Sequence, residues 1–190
     1  MIDCFFGLGA NLGDRMTTLA KALELVAHTD GFSLRGVSRV WETAPVGPPQ
    51  PRYLNAVARV GSMLSARATL KRLLDIEEKL GRIRREKWGP REIDLDLLFY
   101  GNAVSPGPIE LPHPRLHERA FVLAPLSELA PQLVHPLHGK SVESLLAALG
   151  ADARAGVQVF GPLRRRLDGP ESDLEALPEG EGEAGAAPIV

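Results

Sequence analysis

Cysteine is almost absent from this chain, since Cys4 is the single example in 190 residues. Intramolecular disulfides and cysteine-rich zinc sites are therefore excluded, and a lone cysteine usually packs in the core. No apolar run approaches the roughly 18 residues that a membrane helix needs. The opening Met1-Ile2-Asp3 lacks the basic residues that begin a secretory signal. We therefore expect a soluble, cytoplasmic protein with no membrane partner.

Several common catalytic motifs are also missing. The chain has no G-x-x-x-x-G-K-[ST], so it is not a P-loop NTPase. Gly7 and Gly9 are followed by Leu12 where a third glycine would complete the dinucleotide-binding fingerprint. No G-x-S-x-G motif of a serine hydrolase is present.

Neither sign of charge is in large excess, since the chain has 22 basic and 24 acidic residues. This balance argues against a nucleic-acid binder that is basic throughout. The average hides a division of the chain. Residues 1–166 carry a formal charge of +5, whereas the seven acids after Arg166, from Asp168 to Glu183, face no base. These numbers predict a folded domain over 1–161 and an acidic, disordered tail over 162–190.

Periodicity predicts the order strand, helix, strand, strand, helix, strand for the first hundred residues. This order is that of a ferredoxin-like α+β fold (βαββαβ), an antiparallel sheet with helices packed on it and with C-terminal additions. Two shorter helices follow, at 119–130 and 141–149. The predicted elements are a strand at 2–8, a helix at 15–28, a β-rich segment at 32–42, a strand at 53–60, a helix from Ser65 to Gly81 and a strand at 92–100.

Asp94 and Asp96 lie two residues apart in the last of these strands, so both carboxylates leave one face while Ile93, Leu95, Leu97 and Phe99 take the other. Two neighbouring carboxylates repel each other, and a divalent cation such as Mg²⁺ removes that repulsion. The alternative is a solvated strand face that happens to carry two acids.

A basic loop precedes this strand, with Arg82, Arg84, Arg85, Lys87 and Arg91 opposed only by one glutamate. Guanidinium groups match phosphate oxygens, and arginines beside magnesium-binding carboxylates are the two halves of a nucleotide-phosphate site. A solvated loop is the alternative, because the chain prefers arginine generally, with 17 Arg against 5 Lys.

Three smaller features could complete such a site. Trp88 in the basic loop could close over a ligand or fold back on the core. Tyr53 and Asn55 share a strand face beside a proline-rich loop, which suits a flat heterocycle, although an edge-strand tyrosine and a turn-capping asparagine are equally ordinary. Glu77 interrupts the apolar stripe of its helix, so it needs a partner or a ligand.

Histidines are concentrated after residue 112. His113 and His117 have the i, i+4 spacing of helical zinc ligands, but Pro114 disfavours a regular helix through both. Phosphate contact by His113 and Arg119 fits the remaining features better. His135 and His138 lie in a turn-rich stretch and are predicted to be surface residues.

Taken in order, these segments resemble the 6-hydroxymethyl-7,8-dihydropterin pyrophosphokinase family of folate biosynthesis over about residues 2–160. The most specific match is the run from Trp88 to Asp96. The other matching segments are Gly7-Leu-Gly-Ala-Asn-Leu-Gly13, Thr43-x-Pro-Val-Gly-Pro48, Tyr53-Leu-Asn55, Gly81-Arg-x-Arg84, Pro112-His113 and Arg119-x-Phe121.

The resemblance implies transfer of the diphosphate of ATP to the hydroxymethyl group of the dihydropterin, with AMP as the second product and two Mg²⁺ ions held by Asp94 and Asp96. We expect a monomer that binds no nucleic acid. Arg82 and Arg91 would be catalytic, serving the transferring diphosphate. The implied ATP-binding residues are Leu70, Glu77, Arg84, Trp88, Arg91, Leu97, His113 and Arg119. The implied pterin-binding residues are Thr43, Pro45, Val46, Tyr53, Asn55, Trp88 and Phe121.

Two alternatives stay open at the level of sequence. A ferredoxin-like domain with an arginine-rich loop could be an RNA-binding module, although Tyr53 is the only aromatic residue placed to stack on a base. A pyrophosphokinase that uses another alcohol acceptor is the second. The chain also departs from the family pattern at Leu74 and at 108–110, which puts two nucleotide contacts in question.

Overall fold

An antiparallel sheet forms the centre of the computed structural model, which describes residues 1–45, 49–82 and 89–163. Its strands follow the order β5-β1-β4-β3-β8, and β2 also pairs with β4. The strands are β1 (Ile2–Ala10), β2 (Phe32–Val37), β3 (Arg39–Thr43), β4 (Tyr53–Ser62), β5 (Asp94–Tyr100), the short pair β6 (Ser105–Pro106) and β7 (Glu110–Leu111), and β8 (Val157–Pro162). The helices are α1 (Arg15–Ala27), α2 (Ala66–Lys79), a 3₁₀ turn (Leu116–Glu118), α3 (Ala120–Leu129), α4 (Val142–Ala148) and α5 (Ala151–Ala155).

The predicted ferredoxin-like arrangement is confirmed. Helix α1 connects β1 to β2 and helix α2 connects β4 to β5, and in each case one strand of the other unit lies between the connected pair. All pairings in the sheet are antiparallel. The end of β1 and the starts of β4 and β5 are thereby brought together at one end of the sheet.

Capping residues fix the two large helices where the sequence predicts them. The Asp14 carboxylate accepts a hydrogen bond from the Thr17 N–H at 3.1 Å and begins α1. Ser65 Oγ accepts from the Ala68 N–H at 3.3 Å and begins α2. Gly81, which follows α2, has a φ of +81°, a conformation that glycine adopts without the steric cost of a Cβ atom.

The β-rich segment predicted at 32–42 is two strands rather than one. At the break, the Ser38 N–H donates to the Val57 carbonyl at 2.9 Å and Ser38 Oγ accepts from the Val57 N–H, also at 2.9 Å. The buried hydroxyl therefore replaces a backbone acceptor, so both halves stay paired with β4 while the chain bends between them.

Both faces of the sheet are covered. Helices α1 and α2 pack on one face over a core that includes Cys4, Phe6 and Leu8, and α3 and α4 cover a second core on the other face around Phe5 and Leu98. A register shift between β1 and β5 at Phe5/Phe6 puts Phe99 in this second core, so its predicted place beside Leu95 and Leu97 is wrong.

The end of the described chain adds a strand that the sequence analysis did not predict. Strand β8 pairs with β3, with Thr43 opposite Val157, and so extends the sheet at the edge beyond β3. Most of the predicted 162–190 tail lies outside the described residues. Among the described helices, none combines the length and apolar character needed to cross a bilayer.

Candidate active site

A cleft opens on the α3 side of the sheet, over two glycines of β1. Gly9 lies in register between Asp94 of β5 and Asn55 of β4, and Gly7 lies beside Asp96. Because glycine has no side chain, the middle strand forms a floor between the polar residues of its neighbours. A Cβ atom on Gly9 would stand 3.1 Å from Asn55 Oδ1.

The cleft has a volume of about 140 Å³. Its lining also includes Thr43, Tyr53, Arg91, Arg119 and Phe121.

The two aspartates line the same cleft, as strand alternation predicts. Burial, and secondly the charge of Asp94, raise the pKa of Asp96 to about 7, and Arg119 opposes this shift. A pair of carboxylates that favours an extra proton will also favour a cation in that place, because either one relieves the repulsion. The donor set, all oxygen, is the kind that Mg²⁺ prefers.

Two arginines approach the aspartates from outside the strand. Arg82 Nη1 lies 2.9 Å from Asp94 Oδ1, and Arg91 Nη1 lies 2.7 Å from Asp94 Oδ2. All three side chains are between one fifth and about one quarter exposed. The arginines assigned to phosphate therefore form ion pairs with Asp94, one of the two residues assigned to the metal.

Glu77 has its partners within the protein. It is 2% exposed, its Oε1 accepts a hydrogen bond of 2.6 Å from the Leu95 N–H, and it forms an ion pair with Arg82. Burial raises the pKa of Glu77, while the Leu95 N–H and Arg82 lower it. Glu77 thus holds Arg82 and the start of β5 together, and its assigned contact with ATP stays a prediction.

Asn11 holds the border of the cleft together, a role that the sequence analysis did not predict. Its Oδ1 accepts from the Arg91 N–H at 2.9 Å, and its N–H donates to the Arg91 carbonyl at 3.2 Å. Its Nδ2 donates to Gln50 Oε1 at 3.0 Å and to the Pro51 carbonyl at 3.2 Å. Asn11 is 2% exposed, so one buried amide ties together the three segments that border the cleft. The sequence feature that could have indicated this role is the position of a polar residue directly after a buried strand.

The other wall of the cleft carries the residues assigned to the pterin. Asn55 is 7% exposed, and its Nδ2 donates to Thr43 Oγ1 at 2.9 Å. The Tyr53 hydroxyl donates to Gln50 Oε1 at 3.3 Å, and burial raises the pKa of that phenol. Both residues line the cleft, so an amide edge and an aromatic plane lie together as predicted.

The segment before α3 supplies the remaining described groups. Arg119 stands over the ring of Phe121, with its Cζ 5.6 Å from the ring centroid. The His113 N–H donates to the Leu98 carbonyl at 2.9 Å, which fastens the segment to β5. Burial, and secondly the charge of Arg119, lower the pKa of His113 to about 4. His113 is therefore neutral near pH 7 in the ligand-free protein and can offer phosphate an N–H group.

Six described residues with an assigned role do not line the cleft itself, namely Pro45, Leu70, Glu77, Arg82, Leu97 and His113. Leu70 and Leu97 belong to the first core, on the sheet face opposite the aspartates, so their assigned ATP contacts stay predictions. Pro45 lines an adjoining groove of about 340 Å³ together with Arg115 and Arg119. Val46, Arg84 and Trp88 lie outside the described residues, so the pterin contact of Val46, the phosphate contact of Arg84 and the closure of Trp88 over the site also stay predictions.

This domain has a ferredoxin-like α+β fold, and its cleft combines paired carboxylates with arginines. Such a combination suits the binding of a polyphosphate. The chain belongs to the family of 7,8-dihydro-6-hydroxymethylpterin-pyrophosphokinases (HPPK), whose family model matches residues 5–131. That span contains every described cleft residue named above. The family resemblance drawn from the motifs is thereby confirmed.

Relatives and solved structures agree with this assignment. The chain is 40% identical over 148 residues to the 2-amino-4-hydroxy-6-hydroxymethyldihydropteridine pyrophosphokinase of Synechocystis sp., covering 77% of this chain and 76% of that protein. It is 42% identical to the enzyme of the same name from Methylorubrum extorquens, covering 78% and 94%. A crystal structure of Plasmodium falciparum HPPK-DHPS with pteroate aligns with a TM-score of 0.66 at 14% identity, over 83% of this chain and 46% of that one. This chain spans less than half of that longer protein, and the similarity shows the shared fold.

Proposed function

We propose that this protein transfers the diphosphate of ATP to the hydroxymethyl group of 6-hydroxymethyl-7,8-dihydropterin, giving AMP and the pterin diphosphate for folate biosynthesis. The observation that carries the proposal is membership of the HPPK family over a span that includes the whole described cleft. The relatives from Synechocystis sp. and Methylorubrum extorquens carry the name of that activity.

The cleft has one side suited to the pterin and another suited to phosphate, and this arrangement supports the proposed reaction. Tyr53, Asn55 and Phe121 would hold the flat pterin on one side, and Arg82 and Arg91 would receive the diphosphate beside Asp94. The hydroxymethyl oxygen then bonds to the β-phosphorus, and the bond from that phosphorus to the departing AMP oxygen breaks. The hydroxyl proton passes to solvent. Positioning of the two substrates and neutralisation of phosphate charge supply most of the rate enhancement in such a transfer.

Asp94 and Asp96 would hold Mg²⁺ in this proposal, and the raised pKa of Asp96 supports their fitness for a cation. Bound there, Mg²⁺ would offset phosphate charge and ease deprotonation of the attacking hydroxyl. In the ligand-free protein, Arg82 and Arg91 neutralise the charge of Asp94. In this proposal they would contact the phosphate groups once ATP binds. Glu77 and Asn11 keep Arg82 and Arg91 within reach of both positions.

The RNA-binding alternative finds no support. Its stacking surface would be the open face of the sheet, but α3 packs on the face that carries Tyr53 and Asn55. A monomeric, cytoplasmic enzyme remains our expectation.

The direct test incubates the protein with ATP, MgCl₂ and the dihydropterin and separates the nucleotides by chromatography. We expect AMP to form only when the dihydropterin is present. Formation of ADP, or AMP formation that ignores the pterin, would count against the proposal. Guanosine and neopterin as rival acceptors would show whether another alcohol serves better.

A further inference from the structure

Three histidines meet at a place that the pyrophosphokinase reaction does not use. His117 belongs to the 3₁₀ turn, whereas His135 and His138 belong to the turn closed by the Val134–Ser141 bridge. One ring nitrogen from each lies within 4.8 Å of the other two. None of the three lines the cleft. His113, which has the i, i+4 spacing with His117, is not part of this cluster, in keeping with the sequence analysis, which favoured phosphate contact for His113.

Burial makes the cluster unusual. His135, predicted to be a surface residue, is 2% exposed, and its ring packs edge-on against Phe99 at 5.7 Å between centroids. His135 Nε2 and His117 Nδ1 are both buried, and neither has a hydrogen-bond partner among the residues that the structure describes. An unsatisfied buried polar atom costs about 1–3 kcal/mol, so a ligand that engages both nitrogens would remove a penalty that the fold otherwise carries.

The neighbours of the rings suit coordination. The Glu118 carboxylate lies 3.6 Å from His117 Nε2, which favours the ring proton on that nitrogen and leaves the lone pair on Nδ1. A carboxylate behind the non-ligating nitrogen is the usual outer contact of a metal-bound histidine. His135 Nδ1 accepts a long contact of 3.3 Å from the Leu137 N–H. Coordination through Nε2 requires the proton of His135 on Nδ1, and this long contact is the single hydrogen bond that the change gives up.

We propose that His117, His135 and His138 bind one transition-metal ion of the Zn²⁺ class, with a water molecule in the fourth position. Zn–N bonds of about 2.0–2.1 Å place tetrahedral ligands roughly 3.4 Å apart, so the three nitrogens must close by about 1.4 Å at most. His138 is exposed and is free to make most of that movement. Imidazole nitrogens select such ions over Mg²⁺, which prefers oxygen.

The expected role of this ion is structural. The 3₁₀ turn lies in the chain between His113 and Arg119, both of which belong to the active site. A metal that joins this turn to the 134–141 turn would fix the segment from which Arg119 and Phe121 reach the cleft. Folding energy supplied by a bound metal appears directly as added stability.

The test uses the untagged full chain, because a polyhistidine tag would itself bind the ion. Zinc is titrated calorimetrically in excess MgCl₂, which occupies the carboxylates of the cleft. We expect one Zn²⁺ per chain and a rise in Tm of about 5–10 °C at a hundredfold excess over Kd. His138→Ala and His135→Phe should each weaken binding at least tenfold, while the matched control His28→Ala, an exposed histidine of α1's C-cap, should bind as the wild type does.

Substitution with Co²⁺ gives a second readout, since a tetrahedral site of nitrogen and water ligands produces an intense visible spectrum and free Co²⁺ does not. His138→Ala keeps the experiment decisive if His135→Phe fails to fold, because His138 is on the surface. The proposal is overturned if the wild type binds no Zn²⁺. It is equally overturned if Asp96→Asn abolishes binding and His138→Ala leaves it intact, since the ion would then occupy the cleft.

Discussion

Arg91 Nη1 lies 2.7 Å from Asp94 Oδ2, so the side chain assigned to phosphate is paired with the one assigned to the metal. Arg82 takes the other carboxylate oxygen at 2.9 Å. A cation that binds Asp94 therefore competes with both arginines for the same carboxylate oxygens. The pairing couples the two halves of the site before any ligand arrives.

Removing the guanidinium from this pair should have opposite effects on metal binding and on catalysis. Arg91→Ala frees one oxygen of Asp94, so we expect the nucleotide-free protein to bind Mn²⁺, a probe for Mg²⁺, roughly fivefold more tightly. Turnover should fall roughly 10²-fold because a phosphate contact is lost. Electron paramagnetic resonance of free Mn²⁺ measures the first effect. Arg52→Ala is the matched control, since Arg52 pairs with Glu42 at 3.1 Å. Weaker Mn²⁺ binding by Arg91→Ala would refute the coupling.

Neutralising either aspartate should remove activity and spare the fold. Asp94→Asn or Asp96→Asn keeps the shape of the side chain but not the charge that holds Mg²⁺, so kcat should fall by roughly 10²-fold or more. Asp75→Asn provides the comparison, because Asp75 pairs with Lys71 on the surface of α2. Circular dichroism establishes that each variant is folded. Near-normal turnover of both variants at limiting magnesium would mean that the aspartates do not hold the metal.

The amide of Asn55 should act on the pterin alone. Asn55→Ala removes a buried hydrogen-bonding group from the wall of the cleft, and we expect the KM for the dihydropterin to rise roughly tenfold. The KM for ATP should stay within about twofold of the wild-type value. Steady-state kinetics in both substrates measures the split, and Asn102→Ala, in an exposed turn, serves as the control. An equal rise in both KM values would point to a general collapse of the cleft.

Buried His113 should make the protein less stable in mild acid. Burial, Arg119 and Arg115 lower its pKa to about 4, against the opposing charge of Asp94. Between pH about 6.5 and 4, His113 is therefore protonated in the unfolded chain but neutral in the folded one. The free energy of unfolding falls as pH falls through this range. The slope from this group is at most about 1.4 kcal/mol per pH unit. Urea denaturation of wild type and His113→Asn at pH 7 and pH 5 measures it. A variant that loses as much stability as the wild type would exclude His113 as the cause.

Local periodicity was enough to predict the βαββαβ order, both large helices and the shared face of Asp94 and Asp96. What they could not provide depends on contacts distant in sequence. The bend at Ser38 requires Val57 on another strand, and the burial of His135 requires Phe99. Phe99 itself changes face because β1 and β5 shift register, an event that alternation within one strand cannot reveal.

The position of Asn11 illustrates the same limit within the site. Its place after a strand was visible, but its bonds reach Gln50, Pro51 and Arg91, which are 39 to 80 residues away. The motif that carried the family resemblance includes Asn11, and the structure supplies the physical reason for its presence. Glu77 is similar, because the need for a partner was predictable and the Leu95 N–H was not.

The most direct test of the central claim follows the individual phosphates of ATP. The protein is incubated with MgCl₂, the dihydropterin and ATP labelled with ³²P at either the α or the β position, and the products are separated by chromatography. Transfer of a diphosphate predicts that the α label remains in AMP and that the β label appears in the pterin product. A β label recovered in ADP, with a pterin monophosphate as the other product, would contradict the account.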